Sequence, residues 1–186
     1  MDGRRHDPPA AFLGPPIVTA ASVLTIAARA LHTIALALWL GGLIAIGALV
    51  APTAFHLTRS LPALAGDTAL QNAVAGGVVG GSLKLFVILC DVCGVLLLLT
   101  GAALLRTTPR RPALACLVVS GLLLLSSLYL GLSLTPALDA AQARNDFATF
   151  DGLHHQYERI SSLVQMPLLL LLAVLAAWRD TPKSRG

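Results

Sequence analysis

The sequence predicts an all-α fold: an integral membrane four-helix bundle with both termini in the cytoplasm. Three observations carry that reading. First, four apolar runs fill most of the chain, at about residues 30–52, 79–105, 113–135 and 160–178. Each approaches or exceeds the ~20 apolar residues that a helix needs to cross a hydrocarbon core of ~30 Å. Second, 56% of the residues are hydrophobic and only 12% charged, about half the charge content of a soluble domain. Third, the basic residues fall on one side of the predicted spans, which sets the orientation.

The elements follow in chain order. Residues 1–28 read as an N-terminal tail, with Pro8, Pro9, Pro15 and Pro16 in it. A short helix over about 17–28 either lies on the membrane or prolongs the first span. Residues 29–180 form one four-helix transmembrane domain, and 181–186 a C-terminal tail. The loop between spans two and three is short, Arg106 to Pro112, with Pro109 and Pro112 as helix breakers. Those spans are therefore antiparallel neighbours. The other two connections look longer, about 53–78 and 136–159. The second of these holds Asp139, Arg144, Asp146, Asp151, His154, His155 and Glu158.

Lys and Arg in short loops stay on the cytoplasmic side. Arg4, Arg5, Arg29, Arg106, Arg110, Arg111, Arg179, Lys183 and Arg185 lie on one side; Arg59, Arg144 and Arg159 lie on the other. Nine against three places both termini and the 106–112 loop in the cytoplasm and the chain in the cell inner membrane. The net charge of +4 is explained by loops beside a bilayer, not by nucleic acid. The expected partner is the lipid bilayer. Small residues recur at four-residue spacing: Ala37/Gly41/Ala45, Gly76/Gly80, Gly77/Gly81 and Ser127/Gly131. They predict close helix packing, with a homo-oligomer through these faces as the alternative.

The candidate chemistry lies inside the spans and beside the fourth. Lys84 and Asp91 are seven residues apart, so they share a helix face about 20° wide and sit ~10 Å apart along it. A charge at the depth of Asp91 costs roughly 2.5–3.5 kcal/mol, so it should face the bundle or a wet cavity. His154, Glu158, Ser161 or Ser162, and Gln165 make a polar stripe running into the fourth span. Together, Lys84, Asp91, His154, Glu158 and Gln165 outline an ion pathway. Cys90 and Cys93 form a C-x-x-C on a membrane helix. Cysteine often serves there as a small hydrophobe; the alternative is a soft-metal site for copper or another transition metal, with His56 and His155 as further ligands. His32 shares a face with Trp39 and is a candidate axial haem ligand. The chain has no Walker loop, G-x-S-x-G or H-E-x-x-H, so the expectation is a protein that is not an enzyme.

The opening L-H-T-I-A-L-A-L-W-L-G-G (residues 31–42), continuing to V-A-P-T-A-F (50–55), and the late F-D-G-L-H-H-Q-Y-E-R-I-S-S (150–162) carry a resemblance. They resemble the bacterial four-span domain of unknown function grouped with eukaryotic transmembrane protein 205. The resemblance puts Trp39, Gly41, Gly42, Pro52, Phe55, Leu153 and His154 on the family pattern. The first span is also similar to the copper resistance protein D family, a family with more spans, through His32, Trp39, Gly41 and Gly42. Together these readings lead to a multi-pass inner-membrane protein that binds or passes a small cation such as copper. The alternatives are a structural or assembly protein, and a haem-based redox protein.

Overall fold

The computed structural model describes residues 20–107 and 109–180, with Ala20, Arg179 and Asp180 described in backbone only. Among them there is no strand. Four helical rods are long and apolar enough to cross a membrane: Ala21–Ser60, Thr68–Leu104, Arg110–Ala143 and Phe147–Trp178. They are the first to fourth spans below. The predicted tails over 1–19 and 181–186 lie outside the described residues. α1 (Ala20–Ala45) runs unbroken through Arg29, so residues 20–28 prolong the first span.

Each span packs on its sequence neighbours, and the first also packs on the fourth, which closes an up-down bundle. One end carries the 105–109 connection and, with it, the start of the first span and the end of the fourth. We call this the near end. The far end carries connections 61–67 and 144–146. Apolar side chains such as Leu85 (71% exposed), Leu125 (65%) and Leu132 (74%) face outward. That is the surface of a protein solvated by lipid.

The two long loops expected at the far end are mostly helix. α2 (Ala51–Ser60), the start of α3 (Thr68–Leu104), α5 (Thr135–Ala143) and α6 (Phe147–Ile160) extend the spans beyond the apolar runs. Local chemistry accounts for this. Asp67 caps α3 by accepting from the Leu70 amide at 2.9 Å, and Asp146 caps α6 by accepting from the Thr149 amide at 3.1 Å. The turns are made by Gly66 at φ 89° and Asn145 at φ 54°. The Thr149 side chain and amide hold the Asp146 carboxyl below the ordinary carboxylate range. That cap therefore stabilises α6 above the carboxylate's unfolded range and is lost as pH falls through its lowered folded value.

Three spans share one backbone device. In the first, a π-helical turn over Ile46–Val50 separates α1 from α2. In the third, Leu130–Leu134 separates α4 (Arg110–Tyr129) from α5. In the fourth, Ser161–Gln165 separates α6 from α7 (Met166–Asp180). Each turn lies just ahead of a proline: Pro52, Pro136 and Pro167. The amide before each proline reaches back five residues, Ala51 to Ile46, Thr135 to Leu130 and Met166 to Ser161. A proline inside a continuous α-helix costs about 3 kcal/mol through a lost hydrogen bond and a ring clash. The wider turn restarts the helix so that the proline falls in a first turn, where no amide is needed.

Two packed cores hold the rods. Trp39, Phe86, Cys93, Leu97, Cys116, Leu123, Leu169 and Leu172 form one along the bundle axis; Val87, Leu130, Leu134 and Tyr157 form another toward the far end. All three cysteines are free and buried. The small-residue expectation holds only in part. A Cβ on Gly42 would come within 2.3 Å of the buried Phe86 ring, and one on Gly131 within 2.8 Å of Val87, so these glycines set the spacing of the second span from the first and third. Gly41, Gly76, Gly77, Gly80 and Gly81 have nothing within 4 Å. Those stripes point away from the neighbouring rods and do not pack this bundle.

Alanine substitution separates the two kinds of glycine. Gly41→Ala should be neutral or mildly stabilising, since alanine favours the helix by up to about 1 kcal/mol. Gly42→Ala should lower stability by roughly 1–3 kcal/mol through overpacking. Thermal unfolding of the two purified variants in the same detergent checks the difference.

Candidate functional site

The most polar helix of the chain is α6, and its spacing builds a small network. Glu158 lies 3.3 Å from His154 Nε2 and 3.1 Å from His155 Nδ1; His155 Nε2 is 3.6 Å from Asp151. These are the three- and four-residue neighbours of one helix face. The His154 ring stacks on Phe150, with centroids 6.0 Å apart. All four charged or titratable side chains are more than two-fifths exposed, so the network forms a rim.

Below that rim the fourth span turns inward. Ser162 donates to the Glu158 carbonyl at 2.6 Å and stays exposed. Ser161 is the member of the pair that points in: its Oγ is buried and has no hydrogen-bond partner. Gln165 is 2% exposed. Its Nε2 donates to Ser126 Oγ at 3.2 Å, and Ser126 in turn donates to the Leu123 carbonyl at 2.7 Å. Gln165 therefore keeps Oε1 as an acceptor.

Ser161 and Gln165 line a cavity of about 220 Å³ in the far half of the bundle, bounded by all four spans. Gly47 and Ala51 close it from the first span, Phe86 and Cys90 from the second, and Ser127 and Leu130 from the third. His154, Tyr157 and Glu158 complete the fourth-span wall. Residues of all three π turns take part. A turn of this kind is wider than an α-turn and is frequent at functional sites.

The sequence-predicted residues divide. His154, Glu158 and Gln165 come together at the cavity. Lys84 and Asp91 do not line it. They share a face, as expected, but that face looks to the third span. Lys84 Nζ pairs with Asp139 at 2.8 Å, both about half exposed. Asp91 lies against Gly131, with Oδ1 buried and no hydrogen-bond partner. The ion pathway through Lys84 and Asp91 is therefore not continuous with the stripe on the fourth span. The metal ligands are not gathered either. Cys90 and Cys93 lie together in the buried core, with Cys90 also bordering the cavity, whereas His56 and His155 are exposed and apart from them. Among the described residues no group of three or more His, Cys, Asp or Glu could hold a metal ion. Copper passage has no support in this arrangement.

The family-pattern positions are mostly structural. His32 is fully buried, with Nδ1 3.0 Å from Thr100 Oγ1. Thr100 gives its own proton to the Leu96 carbonyl at 2.6 Å, so Nδ1 is the donor of the pair. His32 lies away from the cavity. Trp39 is fully buried and packs near Gly94 and Leu124. Leu153 joins the far-end core, Gly42 seats Phe86, and Pro52 follows the first π turn. Sequence reasoning missed Gly47, Tyr157 and the π turns. The available signal was a proline in or beside three apolar runs.

Fold and site together define a multi-pass membrane protein, a four-helix bundle with a cavity in one half. Within that class the chain belongs to the family described as domain of unknown function (DUF4149), whose model matches residues 34–146, more than half of the chain and most of its first three spans. No curated protein and no solved structure matches it.

The Lys84–Asp139 pair tests the division of the site. As a half-exposed pair it should contribute no more than about 1 kcal/mol. A double-mutant cycle of Lys84→Met and Asp139→Leu, read by thermal unfolding, should give a coupling of that size or less.

Proposed function

We propose that this protein is a membrane-embedded binding protein, not an enzyme, whose cavity takes up a small cation from the far face of the bundle. The observation that carries the reading is the line Glu158, Ser161, Gln165 on the fourth span. It leads from an exposed carboxylate, past a buried hydroxyl without a partner, to a buried amide oxygen, all on one cavity. A row of oxygen acceptors in a low-dielectric interior favours a positive charge.

The basic bias supports an inner-membrane placement with the near end cytoplasmic. Arg106, Arg110 and Arg111 lie there, against Arg59, Arg144 and Arg159 at the far end. The cavity mouth then faces the outside. The motifs around Trp39 and Pro52 support kinship with the transmembrane protein 205 group, and the first span supports a more distant one with copper resistance protein D. A second reading is assembly: Gly76, Gly77, Gly80 and Gly81 face open space, which suits contact with a second copy.

The test uses the purified full-length chain in detergent and a panel of sodium, potassium, ammonium and alkylammonium chlorides. At least one cation should raise the unfolding temperature saturably, and Glu158→Gln should abolish that rise. A flat response to the whole panel overturns the reading. Reporter fusions after Gly186 and within 140–150 should report opposite sides of the membrane.

A further inference from the structure

We propose that the cation is organic: a small lipophilic amine, a protonated nitrogen on an apolar body, admitted sideways between the first and fourth spans. This rests on the cation reading above and names its ligand class.

The walls argue for the apolar body. The lining is mostly apolar, with Leu43, Ile46, Phe86, Val87 and Leu130 in it. A bare inorganic ion would exchange its water shell for these side chains, and apolar surroundings penalise an isolated charge heavily. Its oxygen acceptors are few against the apolar lining, too few to replace a full hydration shell. An amine needs fewer, because its charge is at one end and the rest of it is apolar. The size fits as well: an apolar cavity of ~150 Å³ holds benzene, and this one is about 220 Å³.

The polar side argues for a donor-bearing head. Gln165 presents Oε1 because Nε2 is engaged by Ser126. Ser161 Oγ is buried without a partner. Gly47 adds a third acceptor. Pro52, five residues later, has no amide, and the Ala51 amide goes to Ile46, so the Gly47 carbonyl loses its helical donor. Glu158 and Gln165 are seven residues apart, so Glu158 supplies the charge at the mouth while the acceptors below it take the N–H bonds of an ammonium head. The titratable side chains on the cavity are Glu158, His154, Tyr157 and Cys90; none is Lys or Arg, so no fixed cation competes.

The route follows from the packing. The first and fourth spans meet through α1 and α7, in the near half. Beyond the π turns, α2 packs on α3 and α6 on α5; among the described residues α2 and α6 make no comparable contact. The cavity lies at that parting, beside lipid, where an apolar amine concentrates by partition.

Binding to the full-length chain in detergent tests this, with benzylamine and cyclohexylamine as probes, benzyl alcohol as the neutral match, and sodium, potassium and ammonium as small cations. Both amines should bind saturably, and benzyl alcohol at least tenfold more weakly. Glu158→Gln should weaken the amines by roughly tenfold and leave the alcohol unchanged, as expected for loss of one charge-assisted bond. Ser161→Ala is the second variant, expected to fold normally and to weaken the amines several-fold. Benzyl alcohol binding as tightly as the amines overturns the inference. So does saturable binding of small cations with both amines inert, which leaves the broader cation reading standing. No binding by any cation overturns both.

Discussion

Lipid offers no hydrogen bonds, so every backbone amide and carbonyl in a spanning helix must be satisfied within the protein. Pro52, Pro136 and Pro167 break that rule in three of the four spans, and the structure answers each with the same π turn. The answer has consequences beyond the backbone. Each turn adds a residue to the helical circuit and so resets the face that the following segment presents. The three turns lie at one level because residues from all of them border one cavity. Where the backbone is widened, the bundle is not filled.

The molecule is thus divided along its axis. Toward the near end, packing is continuous: Trp39, Leu97, Leu123, Leu169 and Leu172 are buried from all sides, and His32 is tied to Thr100 across two helices. In the far half the second span remains in close register with its neighbours through Gly42 and Gly131, while the first and fourth spans part. The cavity therefore has close packing on one side and the parting of two spans on the other.

Polar groups follow the same division. Lys84 and Asp139 neutralise each other on the outside of the second and third spans, at the far end. Asp91 is set apart from them, against Gly131, with a buried oxygen that has no hydrogen-bond partner. The acidic and histidine side chains of α6 pair with one another at the rim, and only the inward members of the stripe, Ser161 and Gln165, reach the interior. Shared helix phase made Lys84 and Asp91 look like part of that stripe, but phase fixes a face relative to its own helix and not the neighbour the face will meet.

The sequence alone determined the class, the four spans, a short connection between the second and third of them, read as 106–112, and the polar stripe from His154 to Gln165. These are local properties: apolar length against bilayer thickness, charge in short loops, and three- and four-residue spacing on a helix. It read 53–78 and 136–159 as loops because charge and polarity there exceed what a membrane span tolerates; capping by Asp67 and Asp146 lets helix continue beyond the lipid. Only the tertiary structure decided which glycines pack, which serine of the 161–162 pair turns inward, and that His56 and His155 stand apart from the buried Cys90 and Cys93. The reason is physical. Rotation of one rod against another is set by side chains meeting across spans, as Gly42 meets Phe86, and a π turn shifts that rotation by an amount invisible to any fixed helical period.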